Sequence, residues 1–115
     1  MKVKNMLSPR TGKKTGKNQF IITGQEQVNY PPEDLSDIDN DKIKVVYFQS
    51  YDSIIAKVEY HYHGKVVVLD SYYWDYSVTT SKYRNQFLGE DTKTIKDKIE
   101  SGEYILADLN PKEEY

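Results

Sequence analysis

The chain reads as an α+β domain: a small antiparallel sheet of three to four strands in a meander, with two short C-terminal helices packed on one face. Three observations predict it. Ile43 to Asp70 holds three β-branched and aromatic runs separated by short turn candidates, which is the pattern of consecutive hairpins. Thr79 to Ser101 then switches to apolar residues four apart, the spacing of a helix face. Strands come first and helices after, the order of an α+β domain rather than of alternating βαβ units.

Each element has its own justification. Residues 1–17 carry Pro9, Gly12 and Gly16 among lysines with little apolar material, and read as a basic flexible arm. Asn18 to Thr23, NQFIIT, is a first strand candidate, opening a single domain over 18–115. Gly24 to about residue 42 contains Pro31-Pro32 and scattered apolar residues, and reads as an acidic loop insertion. IKVVYFQSY, IIAKVEYHYH and VVVLD come next as strands, with turns at Ser50 to Ser53 and at His63-Gly64-Lys65. Thr79 to Leu88 pairs Tyr83 with Phe87 on an apolar face; Ser77, Thr79 and Thr80 offer N-cap oxygens, and Gly89 suits the C′ position. Thr92 to Ser101 buries Ile95 and Ile99 and stops at Gly102, after which Glu103 to Leu109 is extended again.

The totals bound the function. At 115 residues the chain is one domain, able to bury a modest core, and eleven tyrosines supply much of its apolar area. The absence of cysteine excludes a disulfide framework, thiolate metal sites and cysteine nucleophiles. No stretch approaches the roughly 18 apolar residues of a membrane span, so no membrane partner is expected and the chain reads as soluble and intracellular, a cytoplasmic protein. Charge is segregated. Residues 1–23 hold six cations and no acid, whereas residues 24–41 hold six acids and no Lys or Arg. Such blocks either neutralise each other in space or present two opposed patches to partners.

Candidate chemistry is sparse, and no enzymatic activity is expected. His61 and His63 lie two apart with Glu59, on one face of a strand, an arrangement that either holds a metal or is simply the solvent side of that strand. No cofactor or metal ligand set is assigned, and the sequence leaves metal binding by the two histidines open. Asp37, Asp39 and Asp41 match the first ligand positions of an EF-hand loop, but Lys42 stands at its glycine position and Phe48 at its glutamate. Ser77, Thr79, Thr80 and Ser81 have no histidine nearby in sequence, and capping accounts for them. In SYYWDYSVTTSKYRNQFLGE, Trp74, Tyr76, Tyr83, Phe87 and Leu88 read as the joint between sheet and helix; Tyr72, Tyr73, Lys82 and Arg84 remain for a surface.

Phe48-Gln49-Ser50-Tyr51-Asp52-Ser53-Ile54-Ile55-Ala56 and the later Trp74-Asp75-Tyr76-Ser77-x-Thr79-Thr80-Ser81-Lys82-Tyr83, with Phe87-Leu88-Gly89, carry a resemblance, as do Ser8-Pro9-Arg10-Thr11-Gly12-Lys13 and Ser101-Gly102-Glu103-Tyr104. Over nearly its whole length the chain resembles a domain of small proteins from phages and mobile elements of Gram-positive bacteria. Some anti-CRISPR proteins that block type II Cas9 effectors are similar to that domain or occur beside it. The resemblance implies a phage-encoded, non-enzymatic inhibitor that binds a host Cas9 nuclease, or its guide-RNA complex, stoichiometrically. Glu33, Asp34, Asp37, Asp39 and Asp41 are then expected to meet a basic groove, with Tyr60, Tyr62, Tyr72, Tyr73 and Arg84 as partner contacts. The alternatives are a nucleic-acid-binding accessory module, touching its ligand through the basic arm, and a phage structural protein.

Overall fold

The computed structural model describes residues 2–7, 18–27 and 42–110. They form one six-stranded sheet in the order β1 (Lys2–Asn5), β2 (Gln19–Gln27), β3 (Lys42–Ser50), β4 (Ser53–His61), β5 (Gly64–Asp70) and β6 (Tyr104–Ala107), with helices α1 (Val78–Leu88) and α2 (Thr92–Glu100) between β5 and β6. The first five strands pair antiparallel in chain order, and β6 lies parallel to β5.

The central strands are the apolar runs of the sequence, and two tight turns join them. At the β3–β4 turn Tyr51 takes a left-handed φ of 53°, and Gln49 Nε2 donates to its carbonyl at 2.7 Å. At the β4–β5 turn Tyr62 and His63 form a two-residue loop ahead of Gly64, whose φ of 138° suits a residue without a Cβ. Phe48 pairs with Ala56 and Gln49 with Ile54, so Ile55 is an extra residue on β4. This bulge lets two successive residues bury together and divides the core. Ile55 joins Met6, Phe48 and Tyr83, while Ala56 joins Val58, Val67, Leu69, Ile95 and Tyr104. Phe87 touches both groups, and its ring stacks on Phe48 with centroids 5.7 Å apart.

Four expectations are corrected. The sheet has six strands, not three to four, and one pair is parallel. The parallel strand needs a long crossover, which α1 and α2 supply. Accordingly the helices do not lie together over a meander: α1 crosses β3 and β4, whereas α2 lies along β6 and sends Ile95 into the Ala56, Val58, Val67 and Leu69 group. The basic arm begins as a strand, because Lys2–Asn5 pairs with Phe20 to Thr23 and Met6 is buried beside it. Residues 24–27, expected as loop, complete β2, where Gly24 pairs with Val45. The rest of the arm and of the acidic insertion lies outside the described residues, as do Glu33, Asp34, Asp37, Asp39 and Asp41.

Candidate functional site

β5 delivers the chain into the aromatic segment, and Asp70 at the end of β5 organises the turn. Its side chain is buried, and its carboxylate accepts from the backbone N–H groups of Tyr72 at 3.0 Å, Tyr73 at 2.7 Å and Leu109 at 2.8 Å. One buried carboxylate thus satisfies three amides that a strand end would otherwise leave unpaired, and holds the turn against the C-terminal segment. Asn110 fastens that segment at a second point, accepting from Ile54 N–H and donating to its carbonyl.

Three tyrosines project from the turn in ring contact. Tyr72 meets Tyr73 with centroids 4.8 Å apart and Tyr76 at 6.1 Å; Tyr73 and Tyr76 are 5.4 Å apart. Tyr73 is half-buried and packs against the Met6, Phe48, Ile55 and Tyr83 group, so the cluster is rooted in the core. Tyr72 and Tyr76 keep 72% and 62% of their surface exposed. Tyr76 therefore belongs to the surface and not to the sheet–helix joint; it directly precedes Ser77, where the chain swings outward into the helix. Ser77 caps α1 by accepting from Thr80 N–H at 3.1 Å, and Gly89 closes it in a left-handed turn with φ of 69°.

Arg84, expected at the surface, is fully buried at 0% exposure. Helical phase explains this correction, since Thr80, Tyr83 and Arg84 form one buried stripe. Its guanidinium donates to the carbonyl of Trp74, to Asp75 Oδ1 at 3.3 Å, to Asn85 Oδ1 at 2.8 Å and to Thr92 Oγ1 at 2.8 Å, and stacks 5.3 Å from the Trp74 ring centroid. Burial pulls its pKa down, and the hydrogen bond and charge of Asp75 oppose that. The residue does not contact solvent. It pins the tyrosine turn to α1 and to the first residue of α2. Beside this pin lies an open groove of about 790 Å³, with Tyr76, Val78 and Lys82 on its sides and Asp75, Asn85 and Thr92 toward Arg84.

The other two tyrosines expected as partner contacts, Tyr60 and Tyr62, and both histidines lie at the far end of the strand, roughly 20 Å away by the rise of β5 from Gly64 to Asp70. Tyr62 stands at the hairpin tip, 93% exposed, with its ring edge-on to His63 at 4.9 Å. Tyr60 is exposed on β4 with Lys44 Nζ 5.6 Å from its ring. His61 Nε2 lies 3.0 Å from Glu59 Oε1, and Lys57 Nζ lies 2.9 Å from Glu59 Oε2 and 3.9 Å from Glu26. Burial raises the pKa of Glu59, but the hydrogen bonds and charges of Lys57 and His61 outweigh it and the net shift is downward. His63 has left the strand for the turn, so the expected row of Glu59, His61 and His63 is not assembled. Among the described residues no group of three or more such side chains is gathered to hold a metal.

The structure thus unites Tyr72 and Tyr73 with Tyr76, which sequence reasoning had assigned to the core, and separates them from Tyr60 and Tyr62. Asp70 was also missed, though a lone acid closing the run VVVL is a signal for an acceptor at a strand end. The arrangement offers surface chemistry. Ser77, Thr80 and Ser81 hydroxyls are engaged with Thr80 N–H, Ser50 and Asp75, respectively, and neither histidine is within reach of them. Among the described residues no helix is long and apolar enough to cross a membrane. The sequence model of a family of unknown function (DUF8033) matches residues 1–103. No curated protein and no solved structure matches the chain.

Proposed function

The chain belongs to this DUF8033 family of unknown function, and from that premise we propose that it acts by binding, with the tyrosine turn as the docking surface for a protein partner. The observation that carries the reading is the cluster of Tyr72, Tyr73 and Tyr76, ring against ring, at a turn pinned from beneath by Asp70 and Arg84. Exposed aromatic area costs little conformational entropy when its backbone is already held, and tyrosine supplies both apolar contact and a hydroxyl. The adjacent groove gives a partner's side chain a place to enter.

In its finer form the proposal rests on the resemblance to the phage-protein domain: the partner is a type II Cas9 nuclease, alone or with its guide RNA, and the protein is a phage-encoded inhibitor that occludes it. The acids Glu33, Asp34, Asp37, Asp39 and Asp41 then contribute attraction to a basic groove. Titration into a purified Cas9 DNA-cleavage assay tests this. Inhibition is expected to reach completion near one equivalent, and a Tyr72→Ala and Tyr76→Ala double variant is expected to need at least tenfold more protein at an unchanged melting temperature. Absence of both binding and inhibition removes the nuclease as partner. Full inhibition by the double variant removes the tyrosine surface.

A further inference from the structure

The two edges of the sheet are built differently. β1 reads KVKN and exposes Lys2 and Lys4, the charges that keep an edge from accepting another strand. β6 reads YILA, with no Lys or Pro, and its register with β5 runs without a shift. Ile105 and Leu106 are 47% and 41% exposed. Ser71 N–H donates to the Ala107 carbonyl at 2.9 Å, so Ala107 turns its main chain toward β5. By the alternation of a strand Ile105 does the same, while Tyr104 and Leu106 turn their amides and carbonyls outward. Among the described residues no strand pairs with that side.

Charge around this edge decides what fits. Glu103 precedes the strand and Asp108 comes after it, both exposed. Lys98 lies 3.5 Å from Glu103 and is shared with Glu90, on which Lys65 also acts. A second copy of this strand brings the same two acids and, over residues 101–110, no Lys or Arg, so it offers neither acid a counter-charge. A strand bearing a cation at each end meets both acids.

We infer that β6 takes up, by strand addition, an extended segment of a partner protein with a β-branched centre and a Lys or Arg at either end. The inference concerns this edge alone and does not depend on the tyrosine surface. Backbone hydrogen bonds to Tyr104 and Leu106 supply the attachment, and the flanking charges set its register.

The test uses the full chain, isotope-labelled, and the probe acetyl-Lys-Val-Thr-Val-Thr-Lys-amide, whose cations are spaced to meet Glu103 and Asp108. Saturable amide shifts are expected at Tyr104 to Ala107, with slowed exchange at Tyr104 and Leu106. The same peptide with Glu at both ends is expected to bind at least tenfold more weakly, and N-methylation of the amides that face β6 to abolish binding. Leu106→Pro removes an outward donor and leaves the β5 side intact, so it is expected to fold and lose the peptide. If that variant does not fold, Glu103→Lys with Asp108→Lys serves instead, and the preference is expected to reverse to the Glu-flanked probe. Shifts that map elsewhere, equal binding of both peptides, or no shift overturns the inference. Concentration-dependent shifts of the same amides without peptide overturn it in favour of a second copy.

Discussion

The two ends of β5 both carry tyrosines, and they are held in different ways. At the Asp70 end, a buried carboxylate, a buried guanidinium and a helix cap fix the turn. At the Gly64 end, Tyr62 and His63 stand on a two-residue loop, backed by the half-buried row of Glu26, Lys57, Glu59 and His61. The difference teaches that tyrosine content alone does not make an ordered ring cluster. What distinguishes the first end is that its polar groups were taken out of water and satisfied, which restrains the turn and leaves the rings in one arrangement.

The sharpest way to break this comparison is to remove the organiser. Asp70→Ala leaves the amides of Tyr72, Tyr73 and Leu109 without their acceptor and is expected to cost about 4 kcal/mol, read from the urea midpoint. A loss below about 1 kcal/mol would mean that water replaces the carboxylate and that the turn does not depend on it. Next comes Arg84→Ala, which strands Asp75, Asn85 and Thr92; about 3 kcal/mol is expected, the lower end of the range for breaking buried pairs, because Asp75 is partly exposed. Hydrogen exchange should quicken across residues 71–77 in that variant and stay unchanged at the hairpin. Uniform quickening would show that Arg84 serves the whole fold and not this turn.

Much of this was legible, and the failures have physical causes. The β3–β4–β5 hairpins came from alternation and turn chemistry, and Ser77 and Gly89 marked the ends of α1 as capping residues do. β1 was hidden because Lys2 and Lys4, which protect an edge, also compose an arm. β6 was seen as extended, but four residues carry no sign of which strand they join, and a parallel partner is set by tertiary packing. Arg84 was misplaced by trusting charge over phase: it sits four residues after Thr80 and three before Phe87, on the buried stripe, and a planar cation with several donors can be satisfied there. The tyrosine cluster depends on the turn bringing residues 72, 73 and 76 round to one side, which no periodicity reports.

Smaller changes sharpen the contrast further. Ser77→Ala removes the cap of α1 and is expected to cost about 1 kcal/mol. Its local effect should fall on the tyrosine turn, because Ser77 and Tyr76 are neighbours. Measured by thermal unfolding with exchange at residues 76–80, an effect spread instead to the β4–β5 hairpin would argue that the two ends are coupled through β5.

The smallest effect belongs to the hairpin end, where the row around Glu59 is partly solvated. Its carboxylate has a pKa below the usual 4.5 because Lys57 and His61 favour the charged form more than burial opposes it. A depressed folded-state pKa means that the ionised form stabilises the fold at neutral pH. That contribution is complete above about 4.5 and is lost as pH falls through the lower, folded value. Glu59→Gln is therefore expected to cost only about 0.5 kcal/mol at pH 7, as ion pairs that keep some contact with water do. The difference between variant and wild type should shrink toward zero on acidification, since protonation removes from the wild type what the substitution removed already. Glu90 and Asp91 have lowered pKa values too, so the acid limb of the wild type alone does not isolate Glu59, whereas the variant difference does. A difference above about 2 kcal/mol, or one that grows with acid, would show that the hairpin end is held as firmly as the tyrosine turn, and the distinction between the two ends of β5 would fall.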